Sequence, residues 1–195
     1  MTATDLTHYE FDDCLWVRCA GRGSFVNSPA LKTLADKYLE EGSGNIVIDL
    51  EICPGVDSTF MGTLAGLARK ALALGGAVQI ATPTQRTRAA MESLGLDMIL
   101  DLDPQDAPWQ ADIQQRRYKL AEQQAPKADD SIADLSEPER TRHVLEAHNT
   151  LRELNKKNDE TFGYVCETLE EDLKRHENKA DTRDARQCTA SRCAV

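Results

Sequence analysis

Aromatic residues are scarce in this chain, at 5% against 41% hydrophobic residues overall. Any core must therefore be built mainly from aliphatic side chains. No run approaches the roughly 18 apolar residues that a membrane-spanning helix needs. The opening stretch, Met1 to Asp13, has neither a basic start nor an apolar segment of the kind a secretory leader carries. The expectation is a cytoplasmic protein with no membrane partner. C-x-x-C pairs are also missing. Cys14, Cys19, Cys53, Cys166, Cys188 and Cys193 are scattered, and no histidine stands at zinc-finger spacing from any of them. Free thiols are expected, with no metal and no other cofactor; Cys188 and Cys193 fall in a polar tail. Positive charge is in deficit too. The formal net charge is −10, and a split after Asp103 leaves 8 basic and 14 acidic residues before it and 15 and 19 after it. Phosphate contacts need clustered Lys and Arg, so nucleic acid and anionic membranes are disfavoured partners.

What is present alternates between strand and helix periods. Tyr9 to Ala20 reads as a strand pair, with Leu15, Val17 and Cys19 on one face and Trp16 and Arg18 on the other. Gly21-Arg22-Gly23 breaks the run as a turn. Ser28 and Pro29 open a helix through Leu39 that Gly42 ends. Asn45 to Leu50 is a short β-branched run, expected to be a buried central strand. After a loop, Asp57-Ser58-Thr59 begins a second helix whose small residues Gly62, Ala65 and Gly66 allow close approach; Gly75-Gly76 stops it. Val78 to Ala81 reads as a strand, Pro83-Thr84 to Leu94 as a helix, Met98 to Leu102 as an edge strand, and Ala111 to Gln124 as a further helix. This succession indicates an α/β layer fold.

One segment is more specific than its composition. The strand Asn45-Ile46-Val47-Ile48-Asp49-Leu50 is followed by Asp57-Ser58-Thr59-Phe60-Met61-Gly62 at a helix start. Together with the order of elements, this resembles the signature of the STAS domain, the fold of the anti-anti-sigma factors (anti-sigma factor antagonists), over roughly residues 6–124. The resemblance implies a mixed sheet with helices packed mainly on one face. It also implies a non-catalytic signalling module that binds a partner serine kinase acting as an anti-sigma factor, and is reset by a phosphatase. Ser58 occupies the position of the phosphorylated serine, with Thr59 as the alternative acceptor. Asp57, Thr59, Phe60, Met61, Gly62 and Arg22 are then the expected partner-binding residues. Many members have glycine directly after the Ser-Ser or Ser-Thr pair; here Phe60 and Met61 intervene, so Phe60 must either pack inside or join the docking surface. A phosphate is tolerated at a helix N-terminus, where unpaired amides and the positive end of the dipole face it. It adds about −1.5 to −2 charge to a docking surface.

Plainer readings stand beside these. Asp57, Ser58 and Thr59 are all good capping residues whatever else they do. His143 and His148 are five apart, which does not suit paired zinc ligands, and read as exposed helical histidines. Asp49, Asp57 and Glu51 have no nucleophile, metal or oxyanion donor beside them in the sequence and read as a solvated loop edge, so no catalytic residue is assigned. In domain terms, residues 1–124 are expected to form the STAS domain, 125–135 a linker, 136–177 one long helix and 178–195 a disordered tail. Ser136 and Glu139 form a capping box at the start of that helix. Val144, His148, Leu151, Asn155, Asn158, Phe162, Val165 and Leu169 follow a four-three spacing. They fit either a coiled-coil seam that makes a homodimer, the reading slightly favoured, or a helix folded back on the α/β domain. A scaffold that self-associates through this helix, with no phosphate switch, is the rival function.

Overall fold

The computed structural model describes residues 5–42, 44–122 and 135–192, with side chains described as far as Glu177. β1 (Asp5–Glu10) pairs antiparallel with β2 (Leu15–Ala20). The chain then runs through α1 (Ser28–Glu40), β3 (Ile46–Asp49), α2 (Ser58–Ala73), β4 (Val78–Ala81), α3 (Gln85–Ser93) and β5 (Asp101–Leu102). The five strands lie in the order β1-β2-β3-β4-β5, and every pairing after the first is parallel. A mixed α/β sheet with its helices mainly on one face is the architecture expected from the sequence. β1 starts at Asp5 rather than at Tyr9, because pairing with β2 carries it back to Asp5 opposite Ala20.

The two faces of the sheet bury different things. Leu15, Val17, Cys19, Ile46, Ile48, Val78 and Ile80 form the larger core with Leu31, Ala35, Leu64, Ala68 and Met91 from α1, α2 and α3. The other face carries Trp16, Val47 and Ala81 under Trp109 and α4 (Ile113–Glu122), whose Leu120 closes the layer. Trp16 and Trp109 meet edge to face at 5.4 Å in this smaller core. Arg117 of α4 reaches the end of β3. Its Nε and Nη2 donate to the two oxygens of Asp49 at 2.9 and 2.8 Å, and its Nη1 donates to Glu51 at 2.7 Å. Asp49 is therefore wholly buried and paired, not a solvated loop edge. A buried carboxylate is tolerable only with such partners.

The C-terminal part departs from the single long helix. α5 (Glu137–Arg152) and α6 (Lys156–Arg192) form a hairpin, broken where Asn155 Oδ1 accepts the Asn158 amide at 2.9 Å and caps α6. The capping box at Ser136 and Glu139 is present as expected. The hairpin folds back: α5 lies along α2, and Leu151 enters the main core. Asn155 and Asn158 are not seam amides. Both donate to Leu94 O, at 3.2 and 2.9 Å, capping the C-terminal end of α3, where carbonyls lack helical partners. Within the chain, the seam positions His148, Leu151 and Asn158 are thus buried, while Val165 is exposed. α6 continues helically to Arg192, through most of the stretch 178–195 expected to be disordered. The expected linker lies outside the described residues except for Leu135, as do the side chains of Cys188 and Cys193. Cys14, Cys19, Cys53 and Cys166 are buried free thiols. Among the described residues, no helix is long and apolar enough to cross a membrane, and no group of metal-ligating side chains is gathered.

Candidate functional site

The start of α2 is set by Asp57. Its Oδ1 accepts the Phe60 amide at 2.9 Å, the side-chain cap that the sequence suggests, and its Oδ2 accepts the Phe25 amide at 2.9 Å. The Asp57 amide in turn donates to Gly23 O at 3.0 Å, and the Gly23 amide to Gly55 O at 3.1 Å. One carboxylate thus joins the loop before α1 to the loop before α2. This places the exposed Arg22 and the apolar Phe25 and Val26, 50% and 63% exposed, beside the helix N-terminus. Beneath that loop, the Cys19 thiol donates to Gly21 O at 3.6 Å and the Cys53 thiol to Gly55 O at 3.3 Å. The neighbouring Cys53 and then burial raise the Cys19 thiol.

Ser58 is the first residue of α2 and is half-buried. Its Oγ lies 3.0 Å from His148 Nε2 of α5. His148 Nδ1 lies 2.9 Å from Val144 O. A carbonyl can only accept, so Nδ1 carries the proton and Nε2 accepts from the Ser58 hydroxyl. A second pair stands one turn earlier on α5. His143 Nε2 is 2.8 Å from Ser28 Oγ and 3.4 Å from Thr63 Oγ1. Ser28, expected as a cap, is instead the first helical residue of α1 after Asn27, and its hydroxyl serves this contact. Burial pushes the His143 imidazole below its ordinary value; nearby Glu146 and Asp57 oppose this and Lys32 adds to it. Both histidines are buried, contrary to the expectation of exposed ones, because α5 turns this face onto α1 and α2.

The other expected contact residues separate. Phe60 is completely buried and packs into the main core; a Cβ at Gly23 would stand 3.0 Å from its ring. It faces inward and is removed from the docking surface. Thr59 is 4% exposed and Met61 7%. Gly62 lies directly under α5: a Cβ there would stand 2.2 Å from Ala147 O. Ser58, Asp57 and Arg22 remain at the surface or edge, and Phe25 and Val26 join them there. The sequence hinted at these two only by being apolar residues in a turn flanked by glycine. His143, His148 and Ala147 have no local signal, since they reach the site from 80 residues or more away in sequence.

A serine bonded to an imidazole is also the beginning of a nucleophile–base pair. The cavity between α1, α2 and α5, lined by Lys32, Gly62, Thr63, His143 and Ala147, holds about 30 Å³, room for a water or two. A larger open cleft of about 900 Å³ lies by α4, against Arg18, Glu51 and Arg117. Its guanidinium groups are committed to Asp49 and Glu51.

The family model described as the STAS domain matches residues 6–107. Among solved structures, a candidate anti-sigma factor antagonist from Thermotoga maritima is 16% identical, covering 60% of this chain and 94% of that one, with a TM-score of 0.48. The anti-sigma factor antagonist SpoIIAA in its unphosphorylated form is 17% identical, covering 59% and 98%, with a TM-score of 0.46. An anti-sigma factor antagonist from Mycobacterium paratuberculosis is 20% identical, covering 62% and 96%, with a TM-score of 0.45. No curated protein matches the chain.

Proposed function

The chain belongs to the STAS domain family, and from that premise we propose that it is a non-catalytic signalling module of the anti-sigma factor antagonist kind, switched by phosphorylation of Ser58. The observation that carries this reading is the placement of Ser58. It is the first residue of a helix capped by Asp57, at the edge of a surface bearing Arg22, Phe25 and Val26. Thr59 is the poorer acceptor, because it is buried. The partners are a serine kinase that is also an anti-sigma factor, and a phosphatase. Phosphate on Ser58 puts two negative charges beside Asp57 and repels a partner without unfolding α2, whose first-turn amides receive the anion.

A pull-down from the native cell with full-length Ser58→Ala and Ser58→Asp chains tests the switch. Ser58→Ala retains the partner, and Ser58→Asp weakens it by about 1–3 kcal/mol through like-charge repulsion and desolvation. Equal recovery of the partner by both chains contradicts the reading. The Ser58–His148 bond favours a second reading, a docking module in which Ser58 is only a structural tie for α5. On that reading both variants loosen α5 and neither changes partner recovery.

A further inference from the structure

α5 meets the α/β domain on the surface where the switch residue sits. The contact is polar for something so well packed. Ser58 bonds His148, Ser28 and Thr63 bond His143, Lys32 pairs with Glu146 at 3.7 Å, Arg69 pairs with Glu153, and Asn158 donates to Leu94 O. Polar contacts of this kind mark interfaces between bodies that part, more than the interior of one body. Apolar closure comes from few residues, chiefly Ala147, Leu151, Leu154 and Phe162. Gly62 makes the fit specific, since Ala147 backbone occupies the space of the missing side chain.

We propose that the α5–α6 hairpin is an intramolecular occupant of the switch surface, so that its docking and the phosphorylation of Ser58 exclude one another. The inference rests on the reading of Ser58 as a phosphorylation site. A kinase joins Ser58 Oγ to the terminal phosphorus of a nucleoside triphosphate. The hydroxyl proton leaves, and the nucleoside diphosphate departs. In the docked state that half-buried hydroxyl is turned toward His148 Nε2 at 3.0 Å, and a phosphoryl group on Oγ breaks this contact. The kinase must find α5 lifted, and once the phosphate is in place Ser58 has no proton to return to His148. A protein partner that contacts the start of α2 faces the same competitor. Its apparent affinity falls by the fraction of chains whose hairpin is closed.

Hydrogen exchange followed by mass spectrometry on the full chain decides this. Three chains are compared at one pH: the wild type, a chain with phosphoserine placed at position 58 during synthesis, and Gly62→Ala. The last variant improves the helix propensity of α2 and pushes a methyl into Ala147 backbone, so it displays an opened hairpin without phosphate. In the phosphoserine chain, amides of residues 137–152 are expected to exchange at least tenfold faster than in the wild type. Those of β3 and β4 stay within twofold. Unchanged protection of 137–152 in the phosphoserine chain overturns the proposal. So does loss of protection in β3 and β4 together with α5, which would make the hairpin part of one cooperative core. The outcome is separable from the reading beneath it. If the hairpin opens but the protein from its native cell never carries phosphate on Ser58, the switch fails and the competition stands. If phosphate is found and the hairpin stays shut, the competition alone fails.

Discussion

At the scale of single residues, two side chains divide the work of the signature segment. Asp49 ends β3 and holds α4 through the paired bonds to Arg117, with Arg18 at 3.4 Å as a second cation. Removing one partner of a buried ion pair leaves the other uncompensated. Asp49→Ala is therefore expected to cost about 3–5 kcal/mol, read as a shift of the denaturant midpoint. A loss below about 1 kcal/mol would mean that water reaches Arg117. Phe60 is the companion case. The sequence left it either inside or on a docking surface, and its complete burial against Gly23 and Val56 decides for the inside. Phe60→Ala is expected to destabilise by about 3–5 kcal/mol, with the partner still bound below the unfolding transition. Selective loss of binding at full stability would return Phe60 to the surface.

At the scale of elements, α5 is held in part by the His143 imidazole, so its docking depends on pH. His143 in the docked hairpin has its value lowered, first by burial, and it faces Ser28 and Thr63 with Glu146, Lys32 and Asp57 nearby. Undocked, it takes up a proton at the ordinary value of about 6.5. The undocked state therefore binds more protons below that pH. Docking is at full strength above about pH 6.5 and weakens as pH falls through the range between the free and docked values. Protection factors for residues 137–152, which remove the intrinsic exchange rate, are expected to drop between pH 7.5 and pH 5.5 in the wild type and not in His143→Gln. Equal drops in both chains would clear His143. At the other end of the hairpin, Asn158 is wholly buried and donates to Leu94 O and to Leu151 O. Asn158→Ala is expected to cost about 1–3 kcal/mol, seen first as faster exchange at the start of α6.

The same elements show what the sequence carried. The cap at Asp57 and the strand Ile46–Asp49 follow from local chemistry, a carboxylate within reach of a helix's first amides and a β-branched run between breakers. The capping box at Ser136 is equally local. The break between α5 and α6 is less so. No Pro or Gly marks it, and Asn155 caps a new helix because it can also satisfy Leu94 O across space. The stripe from Val144 to Leu169 has one spacing for two partners, a second copy or the chain's own domain. Periodicity cannot distinguish them; the close approach of Ala147 to Gly62 shows α5 packed on the chain's own α2. His148 against Ser58 is a contact across 90 positions and leaves no trace in local pattern.

At the scale of the whole molecule, the hairpin lies against the α/β domain and places Leu151 in its core. The seam residues His148, Leu151 and Asn158 are buried within one chain. They are not left for a second copy, so the full chain is expected to scatter light as a monomer at micromolar concentration. A dimer disrupted by Leu151→Asp under conditions where the fold persists would restore the coiled-coil reading. The central claim concerns Ser58, and fragment-ion mass spectrometry of protein purified from its native cell reaches it most directly. The tryptic peptide spanning residues 38–69 contains Ser58 together with Ser43, Thr59 and Thr63. The account predicts a phosphate on that peptide whose fragment ions place it on Ser58, at an occupancy that changes with the state of the cell. Phosphate confined to another residue, or a peptide unmodified under every growth condition sampled, contradicts it.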